Sequence, residues 1–150
     1  MEAYFDNSAT TIVTDSVKDI VVKTMTEDFG NPSAMHMVGV KAEKYIKEAQ
    51  ENIAKILKVD PKEIFFTSGG TESNNMAIIG TAMANKRKGN KIITTSVEHS
   101  SVLATMKYLE EQGFEVIYLP VDRYGVVQME ALEKEMTEDT ILVSTMYVNN

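Results

Sequence analysis

Short apolar stretches alternate along this chain with longer stretches in which apolar residues recur every three or four positions. The bulky apolar stretches, typical of strands, cover residues 64–66, 91–96, 115–119 and 140–147. The helical patterns cover residues 15–25, 33–57, 71–88, 100–112 and 128–136. Strands that alternate with helices predict an α/β fold in three layers, with a mainly parallel sheet and helices on both faces.

The first apolar stretch leads into a polar turn with two glycines, Gly69 and Gly70, before a helical pattern begins. A helix that starts here points free N–H groups and its positive end at the turn, which suits a phosphate. Hydroxyls of Ser68, Thr71 and Ser73 would add donors. The turn matches neither a Mg-nucleotide loop nor a dinucleotide fingerprint, so we expect one phosphate monoester. An ordinary strand-to-helix connection with capping hydroxyls is the alternative.

Two further groups follow predicted strands, at the sheet edge where ligands gather in such folds. His99 follows the second strand and opens a helix, where an imidazole can stack on a planar ring or move a proton. The alternative is a helix-capping or surface histidine. Asn149 and Asn150 follow the fourth strand. Either could hydrogen-bond a ring hydroxyl, although a polar loop is the favoured interpretation of Asn149.

The composition narrows the class of protein. The 150 residues are 43% apolar and 25% charged, which is ordinary for a soluble globular domain. A net charge of −7 argues against nucleic acid as a partner. Without cysteine there is no thiolate metal site or thiol nucleophile in these residues, and we predict no metal. The N-terminus lacks a signal-peptide pattern and no apolar stretch approaches about 18 residues, so we expect no membrane partner and a cytoplasmic location.

Five motifs lie in order along the chain, at residues 6–11 (DNSATT), 29–33 (FGNPS) with His36 and Gly39, 67–74 (TSGGTESN), 98–99 (EH) and 148–150 (VNN). In their order and spacing they resemble the cysteine desulfurases, which are pyridoxal-phosphate enzymes of the class V aminotransferase group and fold type I. The resemblance covers the chain from Tyr4 to its last residue.

The resemblance implies roles for four cofactor-site residues and for one loop. Gly70 and Thr71 would hold the phosphate of pyridoxal 5'-phosphate at the helix N-terminus. His99 would stack on the pyridine ring and assist proton transfer, as the catalytic residue of this segment. Asn150 would approach the phenolic oxygen of the cofactor or the substrate. The loop at residues 31–36 would lie near the active site and the subunit interface, with His36 structural or interfacial.

The resemblance also implies how the chain is organised. Residues 1–14 would be an N-terminal segment that contributes to the small domain of the full enzyme. Residues 15–150 would be the N-terminal part of the large domain, without its later strands. The second, third and fourth predicted strands would be neighbours, while the first would stand apart. The family's cofactor-binding lysine, ring-pairing acid and persulfide cysteine lie beyond residue 150, so we expect this segment to be inactive alone.

The function implied is that of the front part of a cysteine desulfurase. The full enzyme converts L-cysteine to L-alanine and an enzyme-bound persulfide, which supplies iron-sulfur cluster or thiolation pathways through a sulfur-acceptor or scaffold protein. A homodimer is expected. Within the class, a selenocysteine lyase or another class V aminotransferase is the alternative. Outside it, the alternatives are a phosphate-binding domain for an unrelated monoester, or a non-catalytic interaction module that uses exposed sheet edges.

Overall fold

The computed structural model describes residues 3–7 and 9–148, and the chain divides into two units, Met1–Phe66 and Thr67–Asn150. The first unit contains helix α1 (Asp15–Thr26), helix α2 (Met37–Leu57) and a 3-10 turn (Pro61–Glu63). Asp60 and Glu63 cap that turn reciprocally. Both helices were predicted. No residue of α1 is buried, whereas α2 buries Gly39, Ala42 and Ala54.

Helix α2 begins at Met37, not near residue 33 as the apolar spacing predicted. The reason is a turn ahead of it, in which the Asn31 side chain accepts from the Ser33 N–H at 2.9 Å. The helix starts only where the Nδ1 atom of His36 accepts from the Gly39 N–H at 3.2 Å. His36 therefore has the structural role that was one of the two predicted for it. Gly39 is required here, since a Cβ would lie 2.3 Å from the Ala34 carbonyl oxygen.

A buried carboxylate joins the two helices of the first unit. Asp28 is 3% exposed and follows α1. Its carboxylate lies 2.8 Å from the Lys41 ammonium and accepts a 2.6 Å hydrogen bond from the Tyr45 hydroxyl, both on α2. The hydrogen bond from Lys41, followed by that from Tyr45, holds the pKa of Asp28 below its ordinary value. These contacts fix the point at which the chain leaves α1.

The second unit is built on a three-stranded parallel sheet. Its strands are β1 (Lys91–Thr95), β2 (Glu115–Leu119) and β3 (Thr140–Val143), in the order β2-β1-β3. This order confirms that the second, third and fourth predicted strands are neighbours. The helices of the unit are α3 (Gly70–Asn85), α4 (Ser100–Glu111) and α5 (Met129–Glu135).

The core lies between the sheet and the paired helices α3 and α4. Every residue of the central strand β1 is buried, so side chains on both of its faces are covered. The apolar residues of the core are Ile78, Ala82, Ile92, Val102, Met106, Leu109 and Phe114. The α/β class with a parallel sheet and helices is thereby confirmed.

The first predicted strand does not form. Residues 64–67 have no regular secondary structure, and Phe65 and Phe66 are 73% and 53% exposed. No strand pairs with them in the described part of the chain, and β propensity without a pairing partner does not make a strand. The fourth predicted strand is also shorter than expected, since β3 ends at Val143. The Ser144 N–H still donates to the Ile93 carbonyl of β1 at 2.9 Å, but the Met146 N–H donates to the Glu98 carboxylate and not to a strand.

Candidate functional site

Helix α3 presents unused amides at its first turn. Its first backbone hydrogen bond runs from the Ser73 N–H to the Gly69 carbonyl at 3.1 Å. The N–H groups of Gly70, Thr71 and Glu72 therefore precede the helical hydrogen bonding, and all of these residues are exposed. The positive end of the helix dipole lies at the same point. This arrangement suits an anion, as the glycine-bearing turn predicted.

Open space surrounds the two glycines of this turn. A Cβ built on Gly69 or Gly70 would meet no atom within 4 Å. Gly69 has a φ of 164°, which is extended backbone, and Gly70 lies in the helix. Neither glycine is therefore needed for a left-handed conformation or for a close contact within the described residues. The residues present therefore fit a phosphate group.

The hydroxyl groups of the turn are partly engaged within it. Ser68 donates from its backbone N–H and its hydroxyl to Oε2 of Glu72, at 2.6 and 2.7 Å. These hydrogen bonds, that of the hydroxyl first, hold the pKa of the Glu72 carboxyl below its ordinary value. The Ser73 hydroxyl lies 2.6 Å from that of Thr67. Of the three hydroxyls expected to face a phosphate, two thus stabilise the turn itself.

His99 caps the other helix of the site. Its Nδ1 atom accepts from the Ser101 N–H at 3.1 Å, and the ring is exposed. The helix-capping alternative of the sequence analysis is therefore confirmed. Capping uses only Nδ1, and it holds the imidazole at the N-terminus of α4. Ring stacking and proton transfer through Nε2 remain compatible with this geometry.

A side-chain hydrogen bond connects the two helix N-termini. The Asn74 amide, in the first turns of α3, donates to the Ser101 hydroxyl at 2.9 Å, and that hydroxyl lies 2.8 Å from Nδ1 of His99. The structure thus brings His99 to the same end of the α3–α4 pair as Gly70 and Thr71. Sequence reasoning did not single out Asn74 or Ser101. The available signals were the position of Asn74 in the motif at residues 67–74 and that of Ser101 two residues after a helix cap.

Glu98 fixes the neighbouring strand ends. It is 8% exposed, and its Oε1 atom accepts from the Thr95 hydroxyl at 2.8 Å and from the Met146 N–H at 2.6 Å. The carboxylate therefore ties the end of β1 to the segment that follows β3. That segment leads to Asn149 and Asn150, which lie outside the described residues. The predicted role of Asn150 stays a prediction.

Within residues 3–7 and 9–148, no cluster of histidine and carboxylate side chains could hold a metal ion. In the same residues no helix has the length and apolar content needed to cross a bilayer.

Comparison with known proteins places these motifs in a family. The sequence profile of Aminotransferase class-V matches residues 3–150. The chain is 48% identical over 147 residues to "Cysteine desulfurase IscS 1" of Archaeoglobus fulgidus, covering 98% of this chain and 38% of the relative. It is 50% identical over 147 residues to "Cysteine desulfurase IscS" of Methanosarcina thermophila, covering 98% of this chain and 36% of that relative.

A solved structure gives the same family assignment. A "NifS-like protein" superposes with a TM-score of 0.91 at 48% identity, covering 99% of this chain and 41% of the other. The chain thus spans about two fifths of the proteins it matches. The resemblance to cysteine desulfurases is confirmed, and with it the expectation of a pyridoxal-phosphate family. The chain belongs to the aminotransferase class-V family.

Proposed function

We propose that these residues form the part of a cysteine desulfurase that binds the phosphate of pyridoxal 5'-phosphate and contacts its ring. The observation that carries the proposal is the exposed first turn of α3, joined through Asn74 and Ser101 to His99. The substrate proposed is L-cysteine, with L-alanine and transferable sulfur as products. A structure titled "SspA in complex with cysteine", which superposes with a TM-score of 0.87 at 39% identity, supports this choice.

The phosphate would be bound by the amides of Gly70 and Thr71, with the exposed Thr71 hydroxyl as a further donor. A phosphate monoester carries close to two negative charges near pH 7, so amide donors at a helix N-terminus suit it. When bound, pyridoxal phosphate supplies an electron-withdrawing ring that stabilises negative charge developing on the substrate carbon. His99 would lie against that ring and hold or move a proton at Nε2.

The proposal extends to the whole enzyme on the strength of the shared motifs alone. We propose a cytoplasmic homodimer that passes sulfur to an acceptor or scaffold protein, in iron-sulfur cluster assembly or a thiolation pathway. Asn150 would complete the cofactor site, and neither nucleic acid nor a membrane is proposed as a partner.

An exchange of segments tests the function. Residues 3–150 would replace the matching segment of the Archaeoglobus fulgidus relative, which is 48% identical. The hybrid is expected to bind pyridoxal phosphate and form alanine from L-cysteine. His99→Asn in the hybrid is expected to lower kcat by about 10²-fold or more, the usual range for loss of a general acid or base. Alanine formation and cofactor absorbance are the two measurements.

His99→Asn also serves as its own structural control, since asparagine is a good helix cap and should keep α4 in place. A hybrid that binds the cofactor but forms no alanine would contradict the desulfurase proposal. Release of selenide from selenocysteine without turnover of cysteine would favour the lyase instead. A kcat unchanged by His99→Asn would remove His99 from the chemistry.

A further inference from the structure

We infer that Asn74 is a positioning residue, which acts through Ser101 to keep the proton of the neutral His99 ring on Nε2. The inference extends the proposed function, because it concerns which ring nitrogen faces a bound cofactor or substrate as a donor. Neither Asn74 nor Ser101 needs to touch the cofactor for this role.

The backbone gives the first constraint. The Ser101 N–H lies 3.1 Å from Nδ1 of His99, and an N–H group can only donate. Nδ1 must therefore offer its lone pair to this bond. In a neutral imidazole one nitrogen carries the proton and the other does not, so the proton of this ring belongs on Nε2.

The hydroxyl of Ser101 gives the second constraint. This residue is 8% exposed, and its Oγ atom lies 2.8 Å from Nδ1 of His99. A hydroxyl there can either donate to Nδ1 or accept from an N–H on that atom, and the second choice would place the proton on the wrong nitrogen. The hydroxyl by itself is compatible with either tautomer, so in the wrong direction it would oppose the backbone N–H.

Asn74 decides it. Its amide N–H donates to the Ser101 Oγ atom at 2.9 Å and occupies acceptor capacity of the hydroxyl. The Ser101 hydrogen is then free to point at Nδ1, and hydrogen bonds that run in one direction strengthen one another. The donor sequence runs from Asn74 to Ser101 to His99.

The position of Asn74 on α3 connects these hydrogen bonds to the proposed phosphate site. Asn74 lies three residues after Thr71 on α3, so the two share one side of the helix. The turn proposed to bind phosphate and the orientation of His99 therefore depend on the same helix end. A neutral His99 would present an Nε2–H donor beside the cofactor, with no lone pair at that atom.

Asparagine-to-aspartate exchange reverses the donor sequence and tests the inference. With Asn74→Asp the carboxylate accepts from the Ser101 hydroxyl, whose lone pair then faces Nδ1. We expect the tautomer ratio of His99 to shift by about tenfold or more toward Nδ1–H, since a charge-assisted hydrogen bond now favours it. Long-range nitrogen–proton NMR of the 150-residue chain at about pH 9, where histidine is ordinarily neutral, measures the ratio.

Matched variants separate this role from a general effect of charge or folding. Ala77→Asp places the same charge on an exposed residue one turn along α3 and should leave the ratio unchanged. Ser101→Ala should remove the response to Asn74→Asp. His36, the other of the two histidines, is an internal reference because its Nδ1 atom accepts from the Gly39 N–H and not from Ser101.

Two results would overturn the inference: an Nδ1–H tautomer in the unaltered chain, or equal ratios for Asn74→Asp and Ala77→Asp. If a variant loses the dispersed spectrum of a folded chain, the unaltered protein still decides the first point. The measurement needs no cofactor, so it can fail while phosphate binding by Gly70 and Thr71 succeeds, and the reverse.

Discussion

Replacing Gly70 with proline is expected to weaken binding of pyridoxine 5'-phosphate by about 10- to 100-fold, the effect of losing one hydrogen bond to a charged group. The Gly70 N–H precedes the first helical hydrogen bond of α3, so its loss should not disturb the helix. Proline is tolerated at the first helical position for this reason. Pyridoxine 5'-phosphate has an alcohol in place of the aldehyde and does not condense with lysine, so titration calorimetry reports only reversible binding.

Gly70→Ala is the matched control. It keeps the N–H group, and its Cβ would meet no atom within 4 Å. We expect this variant to bind within about twofold of the unaltered chain, because an exposed substitution without new contacts is usually near neutral. Equal affinities of the proline and alanine variants would show that the amide of Gly70 does not contact the phosphate.

Replacing Met106 with alanine is expected to lower the free energy of unfolding by about 2–5 kcal/mol, the range for removing a large apolar side chain from a core. Met106 is 0% exposed and belongs to the apolar cluster between the sheet and the paired helices α3 and α4. The loss combines the transfer of buried methylene groups to water with the cavity they leave. Denaturant unfolding followed by circular dichroism measures it.

Met76→Ala removes the same side chain from α3, where it is 51% exposed. Its effect on the free energy of unfolding should stay within about 0.5 kcal/mol, as for most surface substitutions. Similar losses for the two methionines would mean that α4 does not pack on the sheet as described.

Helices and strands with a clear local pattern could be predicted from the sequence. Strand β2 occupies Glu115–Leu119, the residues predicted, and α1 begins at Asp15 as expected. Both are short patterns bounded by clear turn residues, so local propensity was enough to place them, although no residue of α1 is buried. The neighbouring order of the three strands came from the family resemblance, since spacing along a chain does not set the order of a sheet.

The sequence predictions were wrong where the local structure depends on a pairing strand or on a side-chain hydrogen bond. The stretch at residues 64–66 has β-favouring side chains, yet no strand pairs with it in the described part of the chain. The start of α2 was misplaced because the hydrogen bonds of Asn31 and His36 override the apolar spacing. A local pattern contains no information on either effect.

In the candidate site, too, local motifs could be predicted from the sequence and long-range contacts could not. The turn at Gly70 and the histidine after β1 were evident as motifs, because a helix N-terminus has a local signature. The bond between Asn74 and Ser101 joins residues 27 positions apart and depends on how α3 lies against α4. The packing of the core sets how these two helices lie against each other. The hydrogen bonds that orient His99 could therefore be identified only from the structure.

The most direct test of the account is to map where the phosphate ester binds. A nitrogen–proton NMR titration of the 150-residue chain with pyridoxine 5'-phosphate should shift the backbone amides of Gly70 and Thr71 and the ring signals of His99, while pyridoxine without phosphate should not move the two amides. Shifts confined to other parts of the chain, with Gly70, Thr71 and His99 unmoved, would contradict the claim that the first turn of α3 binds the cofactor phosphate.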